Sequence, residues 1–315
     1  MRAKDYAMMV ALAAIWGMSF VFYRIGAPLL GPALFVDLRV GVAAVALLAG
    51  LAVVRRLGSS IKGLRMQWKN FVVMAALNAA LPFTLIATGE LVLSAAFASI
   101  MNAMSPIFAA IIGAVFLGHF MSPKLAAGLT LSIVGVIVVV GAGPFSPTPV
   151  TLAATGLFLV AALSYAIGAL YTSHRLQGES PLALCVAQQV FATLLVAPFA
   201  AAEIPGARFT TLAIIAVAGI ALVCTALAYI LYFRILQSAG PTQALSVTFL
   251  TPIFGVLWGH LLLGEEIAIG MIVGLAMVLL GVGLVTTTQH PSPATSKEPP
   301  PEAVSSESKS AGTLK

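Results

Sequence analysis

Charge is scarce in this sequence: of 315 residues, 8% are Asp, Glu, Lys or Arg. A soluble domain carries roughly 25%, so a soluble enzyme or nucleic-acid-binding domain is excluded. The two cysteines, Cys185 and Cys224, both lie in apolar stretches and do not make a disulfide framework. Together with four histidines they show no metal-ligand spacing. No activated nucleophile or acid–base pair stands out, so neither an enzyme nor a cofactor is expected. The net charge is +6, but no basic patch is interleaved with aromatics, so no nucleic-acid partner is expected either.

What is present is apolar: 60% of residues are hydrophobic and the mean hydropathy is +1.07. Apolar runs fall at about 7–26, 33–54, 70–89, 92–117, 124–142, 152–173, 182–202, 210–233, 242–263 and 267–288. Each approaches the ~20 residues a bilayer-spanning helix needs. Turn residues or charges separate them, as at Ala27-Pro28 through Gly31-Pro32, Arg55-Arg56, Pro205-Gly206 and Gly240-Pro241. The pattern predicts an all-α integral membrane protein with ten transmembrane helices. The first run follows the basic start Met1-Arg2-Ala3-Lys4 and reads as an uncleaved span.

With the N-terminus inside, 13 of the 16 Lys and Arg fall on cytoplasmic segments. The positive-inside rule then places both termini in the cytoplasm. Residues 1–6 form a cytoplasmic N-terminus. Residues 289–315, rich in Pro, Ser, Glu and Lys, form a disordered cytoplasmic tail.

A shift of 146 residues lays Ser105–Val140 over Thr251–Thr286 without a gap, with 11 of 36 positions identical. Pro106/Pro252 and four Gly pairs are among them. The same shift carries Phe83 onto Tyr229 and Asn102 onto Thr248; a shift of 149 places Trp16 over Tyr165 and Arg39 over Gln188. The chain reads as a duplicated five-helix unit, with 7–142 the first repeat and 152–288 the second. An odd number of spans per unit inverts the second copy. Inverted repeats build transporters whose substrate site lies near the midplane.

Trp16-Gly17 with Ser19-Phe20, Arg39 in the second span, Pro106 and Pro252 within helices, and the Leu263-Gly264-Glu265 ending of the ninth span resemble the EamA family. That family belongs to the drug/metabolite transporter superfamily. The resemblance covers about residues 6–288; His119 departs from it, standing where the first copy commonly has Glu. It implies export of small metabolites or drugs across a bacterial inner membrane, through a cavity formed by both halves.

Polar groups at membrane depth are the site candidates. Arg39 is a candidate for the cavity or gate. Asn102, Ser105 and Pro106 in one copy, and Thr248, Thr251 and Pro252 in the other, sit where proline frees a backbone carbonyl and hinges the helix. Trp16, Asn78, Phe83, Tyr165, Gln188 and Tyr229 add aromatic and amide groups for an amphipathic solute. Arg24 and Asp37 are equidistant from the first hairpin's tip and are expected to pair at its outer end. Glu90 reads as a solvated cap of the third span. No span carries a carboxylate near mid-depth, so facilitated diffusion or exchange is expected, with His260, inside the ninth span, the one remaining candidate for proton coupling. Gly255-x-x-x-Gly259 and Gly270-x-x-x-Gly274 serve internal packing or a homodimer.

The expected function is alternating-access transport of small amphipathic metabolites such as amino acids, as an exporter. The alternatives are an importer, a drug efflux protein, or a non-transporting scaffold or signalling protein. The expected partners are a small-molecule substrate and the lipid bilayer.

Overall fold

The computed structural model describes residues 3–53, 67–116, 122–239 and 241–288. The tail 289–315, His119 and the cations from Arg55 to Arg65 lie outside the described residues. Among the described residues every regular element is helical. The elements are α1 (Ala3–Leu30), α2 (Pro32–Val53), α3 (Trp68–Ala75), α4 (Leu81–Gly89), α5 (Ala95–Asn102), α6 (Ser105–Phe116) and α7 (Pro123–Gly141). They continue with α8 (Pro149–Arg175), α9 (Pro181–Glu203), α10 (Thr211–Ala218), α11 (Ala228–Ala239), α12 (Pro241–Leu263) and α13 (Ile269–Thr288). Among the described residues nine stretches are long and apolar enough to cross a membrane, and a tenth, Val247–Leu263 within α12, is shorter. Side chains such as Val45, Leu194, Phe199 and Leu280 are more than 60% exposed. Hydrocarbon, unlike water, exacts no cost for that surface, and the chain is a multi-pass membrane protein.

Local sequence explains the helix starts. Ser122, Thr148 and Ser180 each accept a hydrogen bond from the backbone N–H three residues on, and each precedes a proline. The hydroxyl satisfies one orphan donor, and proline needs none at the first helical position. Gly31 (φ 92°) turns the chain between α1 and α2, and Gly264 (φ 67°) follows the end of α12.

Two helices are interrupted by π-helical segments: Ala76–Ala80 joins α3 to α4, and Gly219–Leu227 joins α10 to α11. Side-chain hydroxyls bond carbonyls there: Ser164 Oγ donates to Leu77 O and Thr225 Oγ1 to Ile220 O, both at 2.8 Å. The prolines behave differently. Before Pro106 the helix breaks at Ala103-Met104, separating α5 from α6, whereas α12 runs through Pro252 uninterrupted.

α7 and α13 cross antiparallel in close contact. A Cβ on Gly128 would meet Gly281 O at 2.8 Å, and one on Gly135 would meet Gly274 O at 2.9 Å. Between these crossings Ser132 Oγ reaches Val278 O at 3.5 Å. The Gly255/Gly259 stripe packs on Ser99 and Ala96 of α5, and Gly270/Gly274 packs on Ala142 and Gly135. Both stripes are therefore occupied within the chain.

The core is uneven along the bundle. At the end where α1 meets α2, Leu30, Phe35, Leu93, Phe97 and Phe158 belong to one continuous buried cluster. At the opposite end that cluster continues only between α7 and α13, through Leu125, Leu129, Val282 and Val285, and the other buried apolar residues divide into three groups. Met9, Leu12, Ile235 and Val247 form one, Leu47, Cys185 and Val186 the second, and Phe71, Met74 and Leu176 the third. We refer to these as the closed and the divided ends.

Candidate functional site

Arg39 lies on α2 and is only 6% exposed. Its Nη1 donates to the Tyr23 hydroxyl of α1 and its Nε to Thr225 Oγ1 at 3.1 Å. The guanidinium carbon sits 3.8 Å above the centre of the Phe83 ring on α4. Tyr165 of α8 meets Phe83 edge-on at 6.3 Å, and Gln188 of α9 donates to the Tyr229 hydroxyl at 3.0 Å. Arg39 lies within electrostatic reach of both Tyr165 and Tyr229. Helices of both halves thus surround one buried cation. A guanidinium keeps its charge at any physiological pH, and among the described residues no carboxylate pairs with it.

Local structure places these groups. Thr225 belongs to the second π-helical segment, and Asn78 to the first, where it donates to Thr172 Oγ1 at 3.2 Å. π segments turn side chains out of helical register and are frequent at functional sites. Arg39, Phe83 and Tyr165 come together as one cluster, and Gln188 with Tyr229 as an adjoining pair. Trp16 packs instead on Tyr232, 5.8 Å away. Asn102 Oδ1 is buried without a hydrogen-bond partner, and Ser105 Oγ donates to Asn102 O at 2.9 Å. Thr248 is exposed, while buried Thr251 donates to Val247 O at 3.1 Å.

Three expectations require correction. Arg24 and Asp37 do not pair: Arg24 Nη1 donates to the backbone carbonyl of Glu90, and Asp37 Oδ1 is buried with no hydrogen-bond partner. Asp37 instead lies in an apolar groove of about 400 Å³ with Gly41, Val45, Thr193 and Leu222. Residues two apart on a helix face different ways, so with Arg39 turned to α1, Asp37 turns away. Glu90 is not a solvated cap, since it is 0% exposed and both carboxylate oxygens lack a partner. His260 is not deep in its helix; it is exposed in the last turn of α12, with Nδ1 2.9 Å from Glu265 O.

Tyr23 and Thr225 were missed as site residues. For Tyr23 a signal existed: Tyr23 and Arg39 are each eight residues from Gly31 and so share one depth in the α1–α2 hairpin. For Thr225 none did, because its position depends on the π segment.

A multi-pass helical bundle enclosing a cation and aromatics from both halves has the character of a membrane transporter. The model of the EamA-like transporter family matches residues 4–141 and again 152–287. The chain belongs to the EamA-like transporter family, and the protein is a membrane transporter. An uncharacterized transporter of Archaeoglobus fulgidus is 22% identical over 285 residues, covering 90% of this chain and 98% of that protein. The uncharacterized transporter YvbV of Bacillus subtilis is 25% identical over 292 residues, covering 91% and 92% respectively. A solved crystal structure aligns with a TM-score of 0.65 at 15% identity, covering 91% of this chain and 98% of that one.

Proposed function

We propose that the protein is an alternating-access exporter of small amphipathic metabolites that carry a carboxylate, such as amino acids, across the bacterial inner membrane. Its substrate site is the Arg39 cluster. The observation that carries this reading is a buried guanidinium whose hydrogen-bond partners, Tyr23 and Thr225, are neutral. A buried cation without a counter-charge is costly, and a substrate carboxylate can supply that charge while its apolar part packs on Phe83 and Tyr165.

The two family matches, the paired π segments and the α7–α13 crossing support two inverted five-helix repeats of ten spans. In that crossing, residues 146 apart, Ser132 and Val278, face each other. The excess of Lys and Arg on one side supports cytoplasmic termini. The divided end is then cytoplasmic and the closed end periplasmic, a state that receives substrate from inside. Arg39, Tyr23, Phe83, Tyr165, Gln188, Tyr229 and Thr225 contact substrate. Asn102, Ser105, Thr248 and Thr251, with Pro106 and Pro252, line and hinge the path towards the divided end. Trp16 and Asn78 border it.

Counterflow in proteoliposomes tests the reading. Neutral amino acids should exchange, and their decarboxylated amines should not. Arg39→Gln should weaken exchange about 10- to 100-fold, the loss of a charge-assisted hydrogen bond. Equal exchange of acids and amines would refute the carboxylate site.

A further inference from the structure

The closed end contains a second buried ionisable group that the substrate site does not use. Glu90 follows α4 in the turn leading to α5, and its side chain is wholly inside the protein. Arg24, the nearest cation, donates to the backbone carbonyl of Glu90. Both carboxylate oxygens are without a hydrogen-bond partner. Each packed element contributes a constraint. α1 presents Tyr23 and Arg24, and the turn after α12 presents Glu265. α8 presents the Phe158 ring, against Gly89. Glu265 cannot move aside freely, because its two oxygens accept from Ala95 N–H at 2.8 Å and Ala96 N–H at 2.9 Å at the start of α5.

We propose that Glu90 is a proton-binding site, and that its occupancy by a proton holds the Arg24 end of the bundle closed. A naked carboxylate buried among apolar groups, beside a second carboxylate and with no donor, is strongly disfavoured. A neutral carboxyl fits the same space at far lower cost. Burial and the neighbouring Glu265 hold the Glu90 carboxyl well above the usual glutamate range, against the smaller opposing effect of Arg24.

The linkage has a definite sign. A carboxyl whose pKa is higher in the closed state than in the open one favours closure fully below its open-state value. That preference fades as pH rises through the closed-state value. Low pH therefore closes this end and high pH releases it. Tyr23 and Arg24 are consecutive on α1, one bonded to Arg39 and the other to the Glu90 carbonyl. Substrate that displaces Tyr23 from Arg39 therefore disturbs the segment that covers Glu90.

The gating step rests on the transport reading above; the protonation does not. Two measurements on the purified full-length protein separate them. Infrared difference spectra of the wild type should contain the carbonyl band of a protonated acid at pH 7, absent in Glu90→Gln. A wild-type spectrum without that band, or one unchanged in Glu90→Gln, would overturn the site. Leu93, 1% exposed in the same turn, reports on closure. In Leu93→Cys reconstituted in proteoliposomes, labelling by a membrane-impermeant thiol reagent, taken relative to that of an exposed cysteine to remove the thiolate's own pH dependence, should rise about tenfold per pH unit as Glu90 becomes ionised. With Glu90→Gln added, labelling should stay low at all pH. Labelling independent of pH while Glu90 is present would overturn the gate. If only the counterflow assay fails, the carboxylate site falls and the proton site stands.

Discussion

The two halves solve the same sequence problem differently at their fourth helices. Each has a proline at the same place, yet α5 and α6 are separated by a break and α12 is continuous. In the second half Thr251, beside the proline, donates back to Val247 O, within the helix. In the first half Ser105 closes on Asn102 O only three residues back, and the chain tightens at Ala103 and Met104. A second asymmetry lies at the ends of these helices. Glu265, placed by the left-handed turn at Gly264, caps α5 of the other half with both oxygens. At the matching position the first half carries His119, which has no carboxylate to offer. The two halves match the same family model, and a few side chains make one end unlike the other.

The most damaging way to test the symmetric part is at α7–α13. Gly281→Ala places a methyl 2.1 Å from Ser132 Oγ and 2.6 Å from Gly128 O. Overpacking should cost about 1–3 kcal/mol, read as a lower unfolding midpoint in detergent. Its counterpart Gly135→Ala should lose a similar amount, while Gly283→Ala, with nothing within 4 Å, should lose none. Unequal losses at 281 and 135 would break the symmetry.

Next in size is the asymmetric cap. Glu265→Ala leaves two α5 donors without their acceptor and should cost about 1–2 kcal/mol. The loss should appear as faster amide exchange at Ala95 and Ala96. An unchanged midpoint and exchange rate would mean the closed end does not depend on that contact.

Thr225→Ala gives the second π segment the residue that the first carries at the matching position, Ala79. It removes the acceptor of Arg39 Nε and the donor to Ile220 O. The expected cost is about 1 kcal/mol, together with a raised KM for exchange. A fall in kcat at constant KM would instead assign Thr225 to the conformational change.

Smallest are the prolines. Pro252→Ala and Pro106→Ala should each change stability by under ~1 kcal/mol. Only Pro106→Ala should slow amide exchange at Ala103 and Met104, by allowing α5 and α6 to join. Equal effects at both prolines would mean that the break has another origin.

Much of the fold was legible in advance. Within the described residues each apolar run is largely helical, with the 92–117 run divided at Ala103-Met104, and the breaks at Gly31 and Pro205-Gly206 coincide with helix ends. Two of the Gly pairs found by the 146-residue shift, 128/274 and 135/281, lie in α7 and α13, where Gly128 meets Gly281 and Gly135 meets Gly274. At the site, Arg39, Phe83 and Tyr165 were identified and do converge, as do Gln188 and Tyr229. Partners were less legible. Arg24 and Asp37 share a depth but not a face, and Glu90 looked like a surface cap because its neighbours in sequence sit beside a turn.

What the sequence determined by itself is the set of helices. Backbone N–H and C=O groups cannot be left unpaired in hydrocarbon, so each long apolar run has one conformation open to it. Glycine and proline positions fix where those helices start, stop and approach, again through local sterics. The tertiary structure alone decided which face of each helix turns inward. Rotation about a helix axis costs little by itself and is set by packing against neighbours distant in the chain. That choice gave Arg39 to Tyr23 and Thr225, turned Asp37 to an apolar groove, and enclosed Glu90.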